Sequence, residues 1–191
     1  MNVPAIPTTV VARPYYPLQT VRSVGPVVFR NQVARDYACL LDVDDDVVEW
    51  HCLPQIHYTD KVREADFHVT RTDGSVVVDV VTADGNPPPW TRIPVGYRHE
   101  LVVAADIPAI RLRNARDLLR YASYRVTLSD RVRLLAALDD QGSLSVAECL
   151  SIFMDTRPIA GLAQLVLSRF VEIDLDTALI GPETQVRRKR D

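Results

Sequence analysis

The spacing of apolar and polar positions divides the chain near residue 125. Before that point, residues 32–41 place Val33, Tyr37, Leu40 and Leu41 on one side of a predicted helix. The acidic run 42–46 that follows has the composition of a turn. Short strands are predicted at 47–51 and 54–58. Residues 64–70 and 75–81 alternate or run apolar around Thr72-Asp73-Gly74, which predicts a β-hairpin. Asn86-Pro87-Pro88-Pro89 can continue neither a helix nor a central strand, so residues 83–90 are expected to cross the surface. A strand at 101–104 and a helix within 106–121 complete this part. Beyond residue 125 come three short helices. The first spans 128–138, with Ser129 as candidate N-cap and Gly142 past its end; the others span 145–153 and 158–167, the last with proline in its first turn. Strands at 170–175 and 179–186 then enclose a turn near Asp176. Three helices and a two-stranded wing predict a winged helix-turn-helix, with 159–167 as its recognition helix. The first 32 residues show no sustained period and read as an extended arm, anchored by Tyr15-Tyr16.

With 191 residues, 47% of them hydrophobic, the chain can bury a core without staples. Cys39, Cys52 and Cys149 are odd in number and far apart, which argues against a disulfide framework or a zinc ribbon and for reduced thiols in the cytoplasm. The N-terminus lacks a signal-peptide pattern, and no apolar run approaches the ~18 residues of a membrane span, so no membrane partner is expected. Charge is unevenly spread. Residues 1–110 hold 9 basic and 14 acidic side chains, whereas 111–191 hold 13 and 11, which turns attention to the second part as a phosphate-facing surface. Arg111, Arg113, Arg116 and Arg120, with the tail Arg187, Arg188, Lys189 and Arg190, are the predicted DNA contacts. The same runs also describe a solvated helix face and a solubilising tail. His51, His57, His68 and His99 lack metal-ligand spacing, although His51 and His57 could meet in a hairpin. No phosphate-binding G-x-x-x-x-G-K-[ST] loop and no serine-hydrolase motif is present.

Two strands carry acids in a pattern that bears on chemistry. Residues 31–37 (Asn-Gln-Val-Ala-Arg-Asp-Tyr), 41–47, Leu53-Pro54, Ala65-Asp66-Phe67-His68-Val69 and Val78-Asp79-Val80-Val81 resemble the N-terminal domain of TnsA-type transposase endonucleases. Leu101-Val102-Val103, Asn114, Leu118 to Tyr121 and Val171 to Leu175 extend the resemblance over residues 27–186. It implies an α/β (α+β) fold: a restriction-endonuclease-like mixed sheet with flanking helices over 27–124, preceded by an arm (1–26) and followed by a winged-helix-like domain (125–186) and a basic tail (187–191). In that family a helix glutamate, a strand aspartate and an E/Q-x-K strand assemble two-metal DNA cleavage. Carboxylates hold the ions that activate water, and a lysine orients the nucleophile.

Carried over residue by residue, the resemblance places Asp66 at the central aspartate and Asp79 at the E/Q position. Ala34 stands at the helix glutamate and Val81 at the lysine, so two catalytic groups are missing. Asp36 lies two residues, about 200°, around the helix from Ala34 and is a poor substitute. Lys61, Arg63 and Glu64, near Asp66 in sequence, could supply a relocated group, or Asp66 and Asp79 could be held by arginines such as Arg35. The resemblance therefore implies a degenerate nuclease without cofactor, or with weakly bound Mg²⁺ or Mn²⁺ on Asp66 and Asp79. It would act as a DNA-binding or assembly subunit in transposition or another mobile element, with DNA, a transposase or ATPase subunit, or a second copy as partner. An active endonuclease with a relocated residue and a winged-helix transcriptional regulator are the alternatives.

Overall fold

The computed structural model describes residues 15–58, 61–81 and 98–190, with only the backbone of Tyr58, Lys61, Arg63 and Val81. The first fourteen residues and the proline-rich crossing with Trp90 lie outside them. Helix α1 (Gln32–Val43) begins at Asn31, whose side-chain oxygen accepts the Ala34 N–H at 2.9 Å. Strands β1 (Val47–Cys52), β2 (Gln55–Tyr58), β3 (Lys61–Glu64), β4 (Phe67–Arg71), β5 (Gly74–Val81) and β6 (Arg98–Val103) follow. β1, β4, β5 and β6 form one mixed sheet in that order, antiparallel up to β5 and parallel between β5 and β6. β2 and β3 form a separate hairpin.

The predicted 64–70 strand is two strands. Ala65 and Asp66 break it: Ala65 N–H donates to Pro54 O and Asp66 N–H to Val78 O, so β3 turns to β2 while β4 joins the sheet. On β5, Val76, Val78 and Val80 pack under α1 with Phe67, Trp50 and Tyr37, whereas Val77 packs on the other face with Ile56 and Ala65. Residues 76–80 are therefore all buried, as suits a central strand covered on both faces.

The arm closes the free edge of β1. Trp50 N–H donates to Arg22 O and Val24 N–H to Trp50 O, at 3.0 and 2.9 Å. Arg35 lies fully buried against this arm. It donates to Pro17 O (2.7 Å) and Gln19 O (2.8 Å) and stacks over Phe29.

After a single 3₁₀ turn (Ala104–Asp106) come α2 (Ala109–Leu119), α3 (Leu128–Gln141), β7 (Ser143–Ser145), α4 (Val146–Ile152), α5 (Pro158–Leu167), β8 (Val171–Ile173) and β9 (Gln185–Arg188). Thr127, not Ser129, caps α3, and Gly142 at φ 78° ends it in the left-handed region. Ser145 and Glu148 form a capping box on α4. β7, β9 and β8 make an antiparallel sheet in that order, so a third strand, which three-residue β7 was too short to announce, joins the two that were expected.

No open linker separates this part from the sheet. Cys39 of α1, Ala115, Leu118 and Leu119 of α2, Ala163 and Leu167 of α5, and Leu175 share one apolar cluster. Asn114 ties the wing to α2 by donating to Leu175 O (2.9 Å) and Ala178 O (2.8 Å) and accepting from Ile180 N–H (3.0 Å). Arg169, at φ 60°, donates to Asp44 O and Val47 O at 2.6 Å each. The cysteines are free thiols, and burial pushes Cys39 and Cys149 up to about 11. Among the described residues no helix is long and apolar enough to cross a membrane.

This packing corrects the assignment of α5 as a recognition helix. Six of its ten residues (Ala160, Gly161, Leu162, Ala163, Leu165 and Leu167) are buried, and it carries no basic side chain. Reading base edges requires an exposed polar face. The approach of α5 to Phe153 is close enough to test: a Cβ on Gly161 would sit 2.4 Å from Phe153 Cε1. Gly161→Ala is expected to lower stability by about 1–2 kcal/mol, overpacking outweighing the gain in helix propensity. A shift of the urea midpoint to lower concentration checks it.

Candidate nuclease-like site and basic surface

Asp66 sits at the break between β3 and β4, which is what lets its carboxylate turn back over the end of β5. Oδ2 accepts the Val80 N–H at 2.8 Å, and Oδ1 accepts Arg30 Nη1 at 3.1 Å. The same guanidinium donates through Nη2 to Glu64 Oε1 (3.0 Å) and Glu64 O (2.9 Å), so Arg30 bridges two acids. Asp66 is 4% exposed. Burial raises its pKa above the usual carboxylate range and the neighbouring Asp79 adds to the rise, while the Val80 N–H and Arg30 oppose it.

Asp79 lies on β5 and is buried. Its Oδ2 is 2.9 Å from Nε2 of His99 on the parallel neighbour β6, with 13% of the histidine side chain exposed. Asp66 and Asp79 lie close enough to interact electrostatically, each with a basic partner of its own.

The other positions do not join them. Ala34 is buried in the α1 core beneath the sheet. Asp36 accepts from Arg116 and from Gln32 Nε2 (2.7 Å), which commits it to the α1–α2 contact. Val81 ends β5 opposite Val103. Arg35 holds the arm and not the carboxylates; Arg30 instead pairs with Asp66 and Glu64. Of the three neighbours that could supply a relocated group, Glu64 reaches the site through Arg30, and the side chains of Lys61 and Arg63 lie outside the described residues. His51 meets His68 across β1 and β4, ring centroids 6.1 Å apart, while His57 is opposite Val62 in the other hairpin.

These residues do not fit a two-metal set. Among the described residues no three His, Cys, Asp or Glu side chains are grouped to hold an ion. A divalent cation on Asp66 would also have to displace the Arg30 guanidinium. Chemically, the cluster sets Asp66 against the Arg30 guanidinium and Asp79 against the His99 imidazole.

Neither Arg30 nor His99 stands out along the sequence. A lone arginine after a valine-rich arm has no periodic signature, and His99 is placed only by the β5–β6 register, which sets it beside Val77.

The predicted DNA contacts separate into two groups. Arg111 pairs with Asp176 (2.7 Å) and Arg116 with Asp36, so both tie α2 to neighbouring elements. Arg188 pairs with Asp139 and Lys189 with Asp45; the last strand runs to Arg188, so the tail is largely built into the fold. Arg113 and Arg120 share Asp117 at 63% and 67% side-chain exposure. Arg187 and Arg190 are exposed.

No protein-family model matches the chain, and no curated protein matches it in sequence. What the site can do therefore rests on its own geometry.

Proposed function

We propose that this protein is a catalytically degenerate TnsA-like protein, a non-cleaving DNA-binding or assembly subunit of a transposition or other mobile-element system, with DNA and a transposase or ATPase subunit as partners. The observation that carries this reading is Arg30, whose guanidinium occupies Asp66 and Glu64 where a nuclease of this kind would present carboxylates to metal ions. Alanine at position 34 and valine at 81 agree with it. Incubation of the purified protein with supercoiled and linear DNA in Mg²⁺ and in Mn²⁺, beside Asp66→Ala, tests it. A gel shift without nicking is expected; nicking that disappears in Asp66→Ala would overturn the reading.

A second reading, an endonuclease with a relocated group, is favoured by one contact. Asp79 holds the Nε2 edge of His99 at 2.9 Å, a geometry that orients an imidazole for proton transfer. Cleavage abolished in His99→Ala and retained in Lys61→Ala would select it. A winged-helix regulator of transcription has less support, because α5 is apolar and packed inward.

If DNA binds, the exposed arginines carry the contact. Arg187→Ala with Arg190→Ala is expected to reduce the slope of log K against log salt by about 2, near 0.9 for each phosphate no longer neutralised. Arg116→Ala is expected to leave that slope unchanged, because its guanidinium is spent on Asp36. Fluorescence anisotropy across a salt series measures both.

A further inference from the structure

The outward face of α3 is apolar, although the helix buries the opposite one. Leu134 and Leu138 point into the core, while Leu128 (64% exposed), Val132 (56%) and Ala136 stand in solvent four residues apart. That spacing puts them in one line along a helix about 21 Å long. Met154, also exposed, lies on the turn beside the helix start, where Asp130 accepts the Met154 N–H at 2.9 Å.

The charges around this line are polarised. Arg125 lies before the N-terminal end, and Asp139, paired with Arg188, and Asp140 close the C-terminal end, all three exposed. Arg131 is turned onto the Phe170 ring and Arg133 onto Asp130 and Asp155, so neither covers the stripe.

We propose that this face is a homodimer interface in which α3 pairs antiparallel with α3 of a second copy. A twofold axis through Val132 sets each Leu128 against Ala136 of the other copy, since both are four residues from the centre. The same axis brings Arg125, in the segment just before one helix, towards the Asp140 end of the other. The surface is thus complementary to itself in shape and in charge, as an isologous contact must be. An acidic or a basic partner helix would satisfy only one end. The contact is short beside a standard interface of about 1,600 Å², so the dimer is weak, with a dissociation constant on the order of 10–100 µM.

Sedimentation of the full chain over about 5–500 µM tests this. The weight-average mass is expected to rise from the 21.4 kDa of one chain towards twice that value. Val132→Asp, at an exposed position, is expected to hold the monomer mass throughout with an unchanged melting curve. Arg125→Glu is expected to weaken the dimer at least tenfold, and adding Asp140→Arg to restore it. A mass constant at one chain, or a dimer indifferent to Val132→Asp, overturns the proposal. Failure of the double charge swap to restore association overturns the antiparallel arrangement.

Discussion

Replacing Asp130 with alanine is expected to lower the unfolding free energy by about 3–5 kcal/mol, through the loss of a buried hydrogen-bonded carboxylate. Asp130 is fully buried. Its Oδ1 accepts Met154 N–H at 2.9 Å and its Oδ2 accepts Asp155 N–H and Thr156 N–H at 3.0 and 2.7 Å, so one side chain ties the first turn of α3 to the turn between α4 and α5. Arg133 pairs with it at 2.8 Å. Alanine would leave three backbone donors without their acceptor. Burial alone would raise the Asp130 pKa, but these hydrogen bonds outweigh it and hold the carboxyl well below the usual range. Because the folded pKa lies below the unfolded value of about 3.9, the contribution is present above about pH 4 and is lost as pH falls through the folded value. Urea melts at pH 7 and pH 3 check this: the gap between wild type and Asp130→Ala should narrow in acid. A gap below about 1 kcal/mol at pH 7 would refute the assignment.

Asp42→Ala is expected to cost about 2–4 kcal/mol, with the opposite pH dependence. Asp42 is also fully buried, and its Oδ1 accepts Val21 N–H (3.1 Å), Arg22 N–H (3.0 Å) and Trp50 Nε1–H (3.0 Å). Removing it detaches the arm from the β1 edge at the point where Arg22 also reaches Asp42 O and Leu167 O. Here burial dominates: it raises the carboxyl pKa despite the donors from Arg22, Val21 and Trp50, and Oδ2 has no hydrogen-bond partner among the described residues. The contribution is therefore full below the unfolded pKa of about 3.9 and declines as pH rises through the folded value. Asp42→Asn, which keeps an acceptor oxygen without a buried charge, should cost less than half as much at pH 7. Thermal melts with tryptophan fluorescence follow both variants, since Trp50 reports on the same contact.

Where local chemistry chooses a conformation, the pattern of residues was a sufficient guide. The 72–74 turn, the helix under Asn31, the capped α4 and the proline-started α5 all follow from spacing, caps and turn residues within a few positions. The nearness of Asp66 and Asp79 followed only from the resemblance. The partners of those acids did not, because Arg30 lies 36 residues before Asp66 and His99 20 residues after Asp79, and no local preference encodes such separations.

The α5 helix shows the boundary between the two kinds of information. Its existence and start are local, from Pro158 and ten residues of helical composition. Its role is not: whether an apolar helix faces solvent, a partner or a neighbour depends on the cluster formed with Cys39 and Leu118, from elements 124 and 45 residues before Ala163. The arginines follow the same rule. Composition concentrated basic charge after residue 110, but ion pairs between distant elements decided that Arg111 and Arg116 are structural while Arg187 faces outward. The sequence by itself determined the helices, the 72–74 turn and the mixed α and β class. Only the tertiary structure decided which cation neutralises which carboxylate, since an ion pair depends on distance in space and not on separation along the chain.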